Sequence, residues 1–150
     1  MERAVVRFAE YRDLEGLLGL YRELRPHDPD LSAEQAQARW QELLARSHIR
    51  VIVAECEGTL ASTCMLALVA NLASGGRPFG VIEHVVTLSR FRGRGLARQT
   101  LQHALDFAWS QSCCKVMLLS GMQRPEAHAL YEALGFRGDI ERGFVIKPAL

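Results

Sequence analysis

The sequence predicts one α/β domain on a mixed sheet of about six to seven strands, flanked by about four helices. Three observations carry that reading. Short β-rich runs alternate with longer segments of helical period. No linker, repeat or low-complexity tract divides the 150 residues, a length that suits a single core. The apolar run Val81-Ile82-Glu83-His84-Val85-Val86-Thr87-Leu88 then leads through a glycine-rich stretch into a helical pattern.

Element by element, Ala4–Phe8 reads as a first strand. Asp13 is placed to N-cap a helix whose apolar face carries Leu14, Leu17, Leu18, Leu20, Tyr21 and Leu24. Pro26 and Pro29 bracket a loop. Ser32 with Gln35 spells a capping box for a second helix, which runs through Trp40, Leu43 and Leu44. Val51–Cys56 and Leu60–Ala70 are strands joined by a turn at Glu57-Gly58-Thr59. Asn71–Gly80 is a loop by composition, and Val81–Leu88 is a strand buried on both faces apart from Glu83 and His84. A helix follows from about Gly95 to Ser112, and Lys115–Leu119 is a further buried strand. Pro125 suits the first turn of a helix ending near Leu134, with Gly135 as its C-cap. Phe136 and Gly143-Phe144-Val145-Ile146 read as closing strands.

Composition narrows the function. Hydrophobic residues at 49% and charged residues at 23% are those of an ordinary globular protein. A net charge of +1 excludes a protein that works by bulk electrostatics, and a local basic cluster argues for a small anion more than for a nucleic-acid track. Met1-Glu2-Arg3 leads into a short alternating stretch, not the apolar core of a secretory signal. No apolar run approaches the roughly 20 residues a membrane span needs. Cys56, Cys64, Cys113 and Cys114 show no C-x-x-C spacing, so the expectation is a reduced, cytoplasmic protein.

The stretch Arg90-Phe91-Arg92-Gly93-Arg94-Gly95-Leu96-Ala97-Arg98 is the sharpest chemical signal. Strand, glycine loop and helix start, in that order, gather free N–H groups at the positive end of a helix, where a phosphate or pyrophosphate binds. Arg90, Arg92, Arg94 and Arg98 favour the same anion. The Walker loop is excluded, because no Gly-Lys-Ser/Thr closes it. The dinucleotide fingerprint fails as well, since Arg98 stands where a small residue is required.

Arg92-Gly93-Arg94-Gly95-Leu96-Ala97 resembles the Arg/Gln-x-x-Gly-x-Gly/Ala motif of the GNAT superfamily, the acetyl-CoA-dependent N-acetyltransferases. Ala127-x-x-x-Tyr131-x-x-x-Gly135-Phe136 is similar to that superfamily's second signature, and the resemblance spans about Val51 to Phe136. It implies a GNAT fold with a mostly antiparallel mixed sheet, whose splayed strand pair forms the cofactor cleft. The implied co-substrate is acetyl-CoA, with no metal. Backbone at Val85, Val86 and Thr87 would pair with the pantetheine arm as an added strand. The N–H groups from Arg92 through Gly93, Arg94, Gly95 and Leu96 to Ala97 would cradle the pyrophosphate.

The resemblance also implies roles in catalysis. An attacking amine must be neutral, although a free alkyl amine has a pKa of roughly 10, so a base helps. Tyrosine, also near 10, stays protonated at neutral pH and can serve the departing thiolate, whose pKa is near 8.5 if it behaves as cysteine does. Tyr131 occupies the family's general-acid position. Glu83, the only carboxylate on the cofactor strand, is the candidate base, with a structural ion pair as its alternative. Period-two alternation places Glu83 on one face with Val85 and Thr87, and His84 on the other, packed under a helix. Relatives often carry asparagine where Arg124 stands.

Other residues point less firmly. His128 and Glu132 lie four apart on one helix without a third ligand, so no metal site is expected. Cys113 and Cys114 lack a histidine partner for acyl transfer. Glu83-His84-Val85-Val86 and Cys114-Lys115-Val116 resemble the small, dimeric hexosamine-phosphate acetyltransferases, which implies a homodimer and an anionic substrate met by Arg77 or Arg124. Acceptor choice is expected from the first two helices and the Asn71–Gly80 loop. The function implied is transfer of acetyl to a primary amine of a small molecule by direct attack in a ternary complex. A non-catalytic acyl-CoA sensor and a protein N-terminal or lysine acetyltransferase are the alternatives.

Overall fold

Long apolar runs, not strict alternation, dominate the central strands, and such runs require a sheet covered on both faces. The computed structural model, which describes residues 3–149, has that sheet. Its strands are β1 (Val5–Phe8), β2 (Ile49–Cys56), β3 (Thr59–Val69), β4 (Phe79–Thr87) and β5 (Val116–Leu118), hydrogen-bonded in the order β1-β2-β3-β4-β5. The first three pairings are antiparallel, and β4 pairs with β5 in parallel.

Helices α1 (Leu14–Leu24) and α2 (Ala33–Ala45) cover one face; α3 (Leu96–Ser110) and α4 (Pro125–Ala133) cover the other. On the first face Leu17, Leu20 and Trp40 pack on Val51, Val53 and Val86. On the second, Leu101, Ala104, Ala127 and Tyr131 pack on Ile52, Cys64, Leu66 and Ile82. Val51 and Val53 go one way and Ile52 the other, as the pleat demands. Each fully buried Leu or Ile stabilises the fold by about 1.5–3 kcal/mol of removed apolar surface.

Local chemistry explains the ends of these elements. The Ser32–Gln35 box forms: Gln35 N–H donates to Ser32 Oγ at 3.1 Å, and Ser32 N–H to Gln35 Oε1 at 3.0 Å. The hairpin between β2 and β3 turns on Glu57 and Gly58, both at positive φ, which matches the twist of the strands. Asp13 stands at the start of α1, but its side chain makes no cap bond there. It accepts instead from Glu10 N–H at 2.7 Å and from Arg7 at 2.7 and 3.0 Å.

Three expectations need correction. Among the described residues the sheet has five strands, not six to seven. Neither Phe136 nor Gly143-Phe144-Val145-Ile146 forms a strand. Phe136 turns back on α4, its ring 6.1 Å from that of Tyr131. Gly143 instead meets the Leu119 side chain, and Arg137 pairs locally with Asp139. Phe79 and Gly80 belong to β4, not to the preceding loop, because Gly80 N–H donates to Lys115 O at 2.9 Å.

Candidate active site

The parallel ladder between β4 and β5 is short. Its pairs are Gly80 with Val116, Val81 with Met117 and Ile82 with Leu118. β5 then ends, while β4 runs on through Glu83 to Thr87 with β3 alone as neighbour. Cavities open where the partner is lost. One, of about 710 Å³, is lined by Val85, Val86, Thr87, the loop Arg92–Arg98 without Arg94, and Glu126, Ala127 and Leu130 of α4. A smaller one, of about 170 Å³, lies toward β5 and is lined by Arg25, Glu83, His84, Ser120 and Gly121. Leu24, Val85, Arg124 and Tyr131 line both.

The glycine loop is built to present amides. Gly93 and Gly95 have φ of 78° and 76°, and nothing lies within 4 Å of a Cβ built on either. Arg92 N–H bonds back to Ser89 O at 3.2 Å. Among the described residues no carbonyl takes the N–H groups from Gly93 to Ala97, so the mouth of α3 faces the larger cavity with free donors. Arg98 lines that cavity too. Arg94 does not: it pairs with Glu57 at 3.2 Å and stacks on Phe91, 5.0 Å from its ring centre. Arg90 stacks on the same ring at 4.7 Å.

A β-bulge rearranges β4. Thr63 pairs with Val86 and Met65 with Glu83, so His84 and Val85 stand opposite Cys64 alone. His84 takes φ of 55°, a strained value for a residue with a side chain. The expected alternation therefore fails. Glu83 lies opposite Met65, on the α1 face, and His84 joins it there, its ring 5.5 Å from that of Tyr21. Val85 turns to the α3 face and packs with Ile82 and Tyr131. Glu83 and Val85 share a cavity, not a face.

Tyr131 is 8% exposed and sits where the two cavities meet. Burial pushes its hydroxyl above the ordinary tyrosine value, and the nearby Arg124 charge only partly offsets this. Cys64, beneath the bulge, is pushed up to about 12 by burial and shares its thiol hydrogen with Thr100 O at 3.6 Å. It is an inert core thiol. Ser120 Oγ is buried without a partner at the small cavity.

Several sequence candidates lie elsewhere. Arg77 does not reach the cavities; it donates to Ser112 O at 2.9 Å and Cys113 O at 3.0 Å. No residue of the Asn71–Ala73 or Ser74–Gly80 stretch lines either cavity, since that loop joins the opposite end of β4. His128 is within 2.8 Å of Gly121 O, which shapes the turn after β5. No cluster of His, Cys, Asp and Glu suited to a metal occurs among the described residues. Sequence reasoning missed Glu23, Leu24, Arg25 and Ser120, whose neighbours carry no motif.

Comparison with known proteins agrees with this geometry. The acetyltransferase (GNAT) family model matches residues 15–136. A glucosamine 6-phosphate N-acetyltransferase of Oryza sativa subsp. japonica is 32% identical over 136 residues, covering 87% of this chain and 79% of the relative. A putative acetyltransferase from Agrobacterium tumefaciens str. C58 superposes with a TM-score of 0.91 at 41% identity, covering 96% of this chain and 99% of that one. An aminoglycoside N-acetyltransferase in complex with CoA shares the fold at 21% identity, with a TM-score of 0.82 over 99% of this chain and 97% of its own. A ladder that opens beside free helix-mouth amides, under a family match over most of the sequence, places this chain in the GNAT family of acetyltransferases.

Proposed function

We propose that this acetyltransferase moves the acetyl group of acetyl-CoA to a primary amine of a small molecule, by direct attack with both substrates bound. Acetyl-CoA supplies an activated thioester. The larger cavity fits it: free amides from Gly93 to Ala97 suit a diphosphate, and the unpaired edge of β4 suits an amide-bearing arm. Val85, Val86 and Thr87 present that edge.

The chain's own side chains divide the proton work. Tyr131, kept protonated by burial, gives a proton to the departing thiolate. Glu83, in the small cavity, takes the proton of the incoming ammonium, directly or through water. Arg25 and Arg124 line the same cavity, so the acceptor carries an anionic group beside its amine. Relatives named glucosamine 6-phosphate N-acetyltransferase support that choice.

One observation carries the reading: the ladder ends at Ile82 and Leu118, and both cavities share Tyr131 at that point. A screen of small amines with acetyl-CoA, read by thiol release, tests it. Turnover of phosphorylated amino sugars or amino acids supports the proposal. Turnover of protein N-termini or lysines alone favours a protein acetyltransferase, and tight acetyl-CoA binding without turnover favours a sensor.

The proposal includes a homodimer working in the cytoplasm. Ile140, Phe144, Val145 and Ile146 are exposed in the segment whose Glu141 pairs with Lys115 and whose Gly143 meets Leu119, next to β5, and a second copy would cover this apolar surface. Cys64, Cys113 and Cys114 are free thiols, which suits a reducing compartment, and no helix among the described residues is long and apolar enough to cross a membrane. Sedimentation that shows only monomer would overturn the dimer.

A further inference from the structure

The turn that carries β4 into the glycine loop is capped by another element. Ser89–Phe91 forms one 3-10 turn, and the residue before it, Leu88, has no side chain able to cap it. The Ser89 N–H donates instead to Glu23 Oε1 at 3.0 Å, a charge-assisted bond from the last turn of α1. Arg92 lies 3.8 Å from the same carboxylate oxygen, and its Nε–H donates to Thr87 O at 3.2 Å. Both contacts draw the Arg92 side chain toward Glu23 and the end of β4.

Glu23 also lines the larger cavity, and its second oxygen, Oε2, is buried with no donor. A carboxylate beside a site for a polyanion repels the ligand unless a cation offsets it. Arg92 is the cation that the structure places against it.

We infer that Glu23 is a positioning residue for the cofactor loop, and that Arg92 acts as its counter-charge and not as a ligand of the diphosphate. The inference rests on the acetyl-CoA reading of the cavity. Its consequence is a coupling between the two side chains that a phosphate-binding arginine would not show. Removing Arg92 alone exposes the Glu23 charge to the ligand. Removing both charges leaves the loop amides to bind the ligand as before. Because the neighbouring Leu24 lines both cavities and Arg25 the smaller one, the same anchor fixes the acceptor wall.

Calorimetric titration of the full chain with CoA tests this on Arg92→Ala, Glu23→Gln, the double variant and Glu23→Ala, each first shown to melt cooperatively. Arg92→Ala weakens CoA binding by about threefold, the scale of a largely exposed charge pair left uncompensated. The double variant recovers at least half of that loss on a logarithmic scale. Glu23→Gln, which keeps an oxygen for Ser89 N–H, binds CoA at least threefold more tightly than Glu23→Ala, by the worth of one such bond. A double variant no better than Arg92→Ala overturns the inference, as does Glu23→Ala binding as tightly as Glu23→Gln. Failure of the unaltered chain to bind CoA would instead overturn the acetyl-CoA reading itself.

Discussion

Ile82 and Leu118 form the last rung between β4 and β5. Just past it lie the bulge at His84, the stretch Val85 to Thr87 with no strand on its β5 side, and the buried ring of Tyr131. The fold gives up strand pairing at one place and gains a slot for ligands there.

Tyr131 is the proton donor in this account, so Tyr131→Phe removes the donor and leaves the packing. The expected result is a fall in kcat of about a hundredfold, within the range for a lost general acid. CoA affinity stays within about twofold, since little transition-state-independent contact is removed. Burial raises the hydroxyl's pKa, so the unaltered enzyme keeps its donor protonated, and the alkaline limb of kcat lies above the ordinary value of about 10. A pH–rate profile compared with that of the variant checks both points.

Glu83→Gln separates chemistry from binding. The residue lines the smaller cavity and not the larger one, so under the proposed function CoA affinity holds while kcat falls at least about tenfold. If Glu83 were only half of a structural ion pair, kcat would stay and the melting temperature would fall.

Gly95 stands at φ 76° with open space where a Cβ would go. Gly95→Ala therefore strains backbone without a clash, at about 1–2 kcal/mol. The strain falls on the conformation that aims the amides, and CoA affinity drops about tenfold for each 1.4 kcal/mol so lost. Titration with CoA and a thermal melt together read the two effects.

Which features the sequence alone reveals depends on the kind of signal each residue carries. Gly93, Gly95 and the helix after them announce themselves, because only glycine suits those torsions and the order strand–loop–helix is local. The Ser32–Gln35 box and the hairpin at Glu57-Gly58 are local too, and both form. The bulge is not local. It arises from register between β3 and β4, and it undoes the alternation that placed Glu83 with Val85. Arg77 looked free in sequence because the carbonyls it serves, at the end of α3, lie 35 and 36 residues away. Glu23 and Ser120 have no motif at all; only the fold brings them to the cavities. The Gly143–Ile146 run has strand-forming residues but joins no ladder among the described residues, although Gly143 meets Leu119 just past β5.

The Arg7 cluster sets the acid behaviour of the fold. Arg7 holds Asp13 at 2.7 Å and Glu55 at 3.1 Å, and Asp13 is 5% exposed. Burial alone would raise the Asp13 pKa, but the Arg7 hydrogen bond and the Glu10 N–H outweigh it and hold the carboxyl below its ordinary value. A depressed folded value stabilises the protein above the unfolded pKa of about 3.9 and is lost as pH falls through the folded one. The melting temperature therefore drops below about pH 4, and drops less in Asp13→Asn. Arg7→Ala, which strands a buried carboxylate, destabilises by about 3 kcal/mol in urea unfolding at pH 7.

The central claim is that the amides of Gly93 to Ala97 and the open edge at Val85 to Thr87 receive the coenzyme together. Amide hydrogen exchange followed by NMR across a CoA titration tests it most directly. With the coenzyme seated there, these amides slow at least about tenfold at saturation, while those of the loop after β3 keep their rates. Unchanged exchange at Gly93–Ala97 under saturating CoA, or protection confined to another surface, would contradict it.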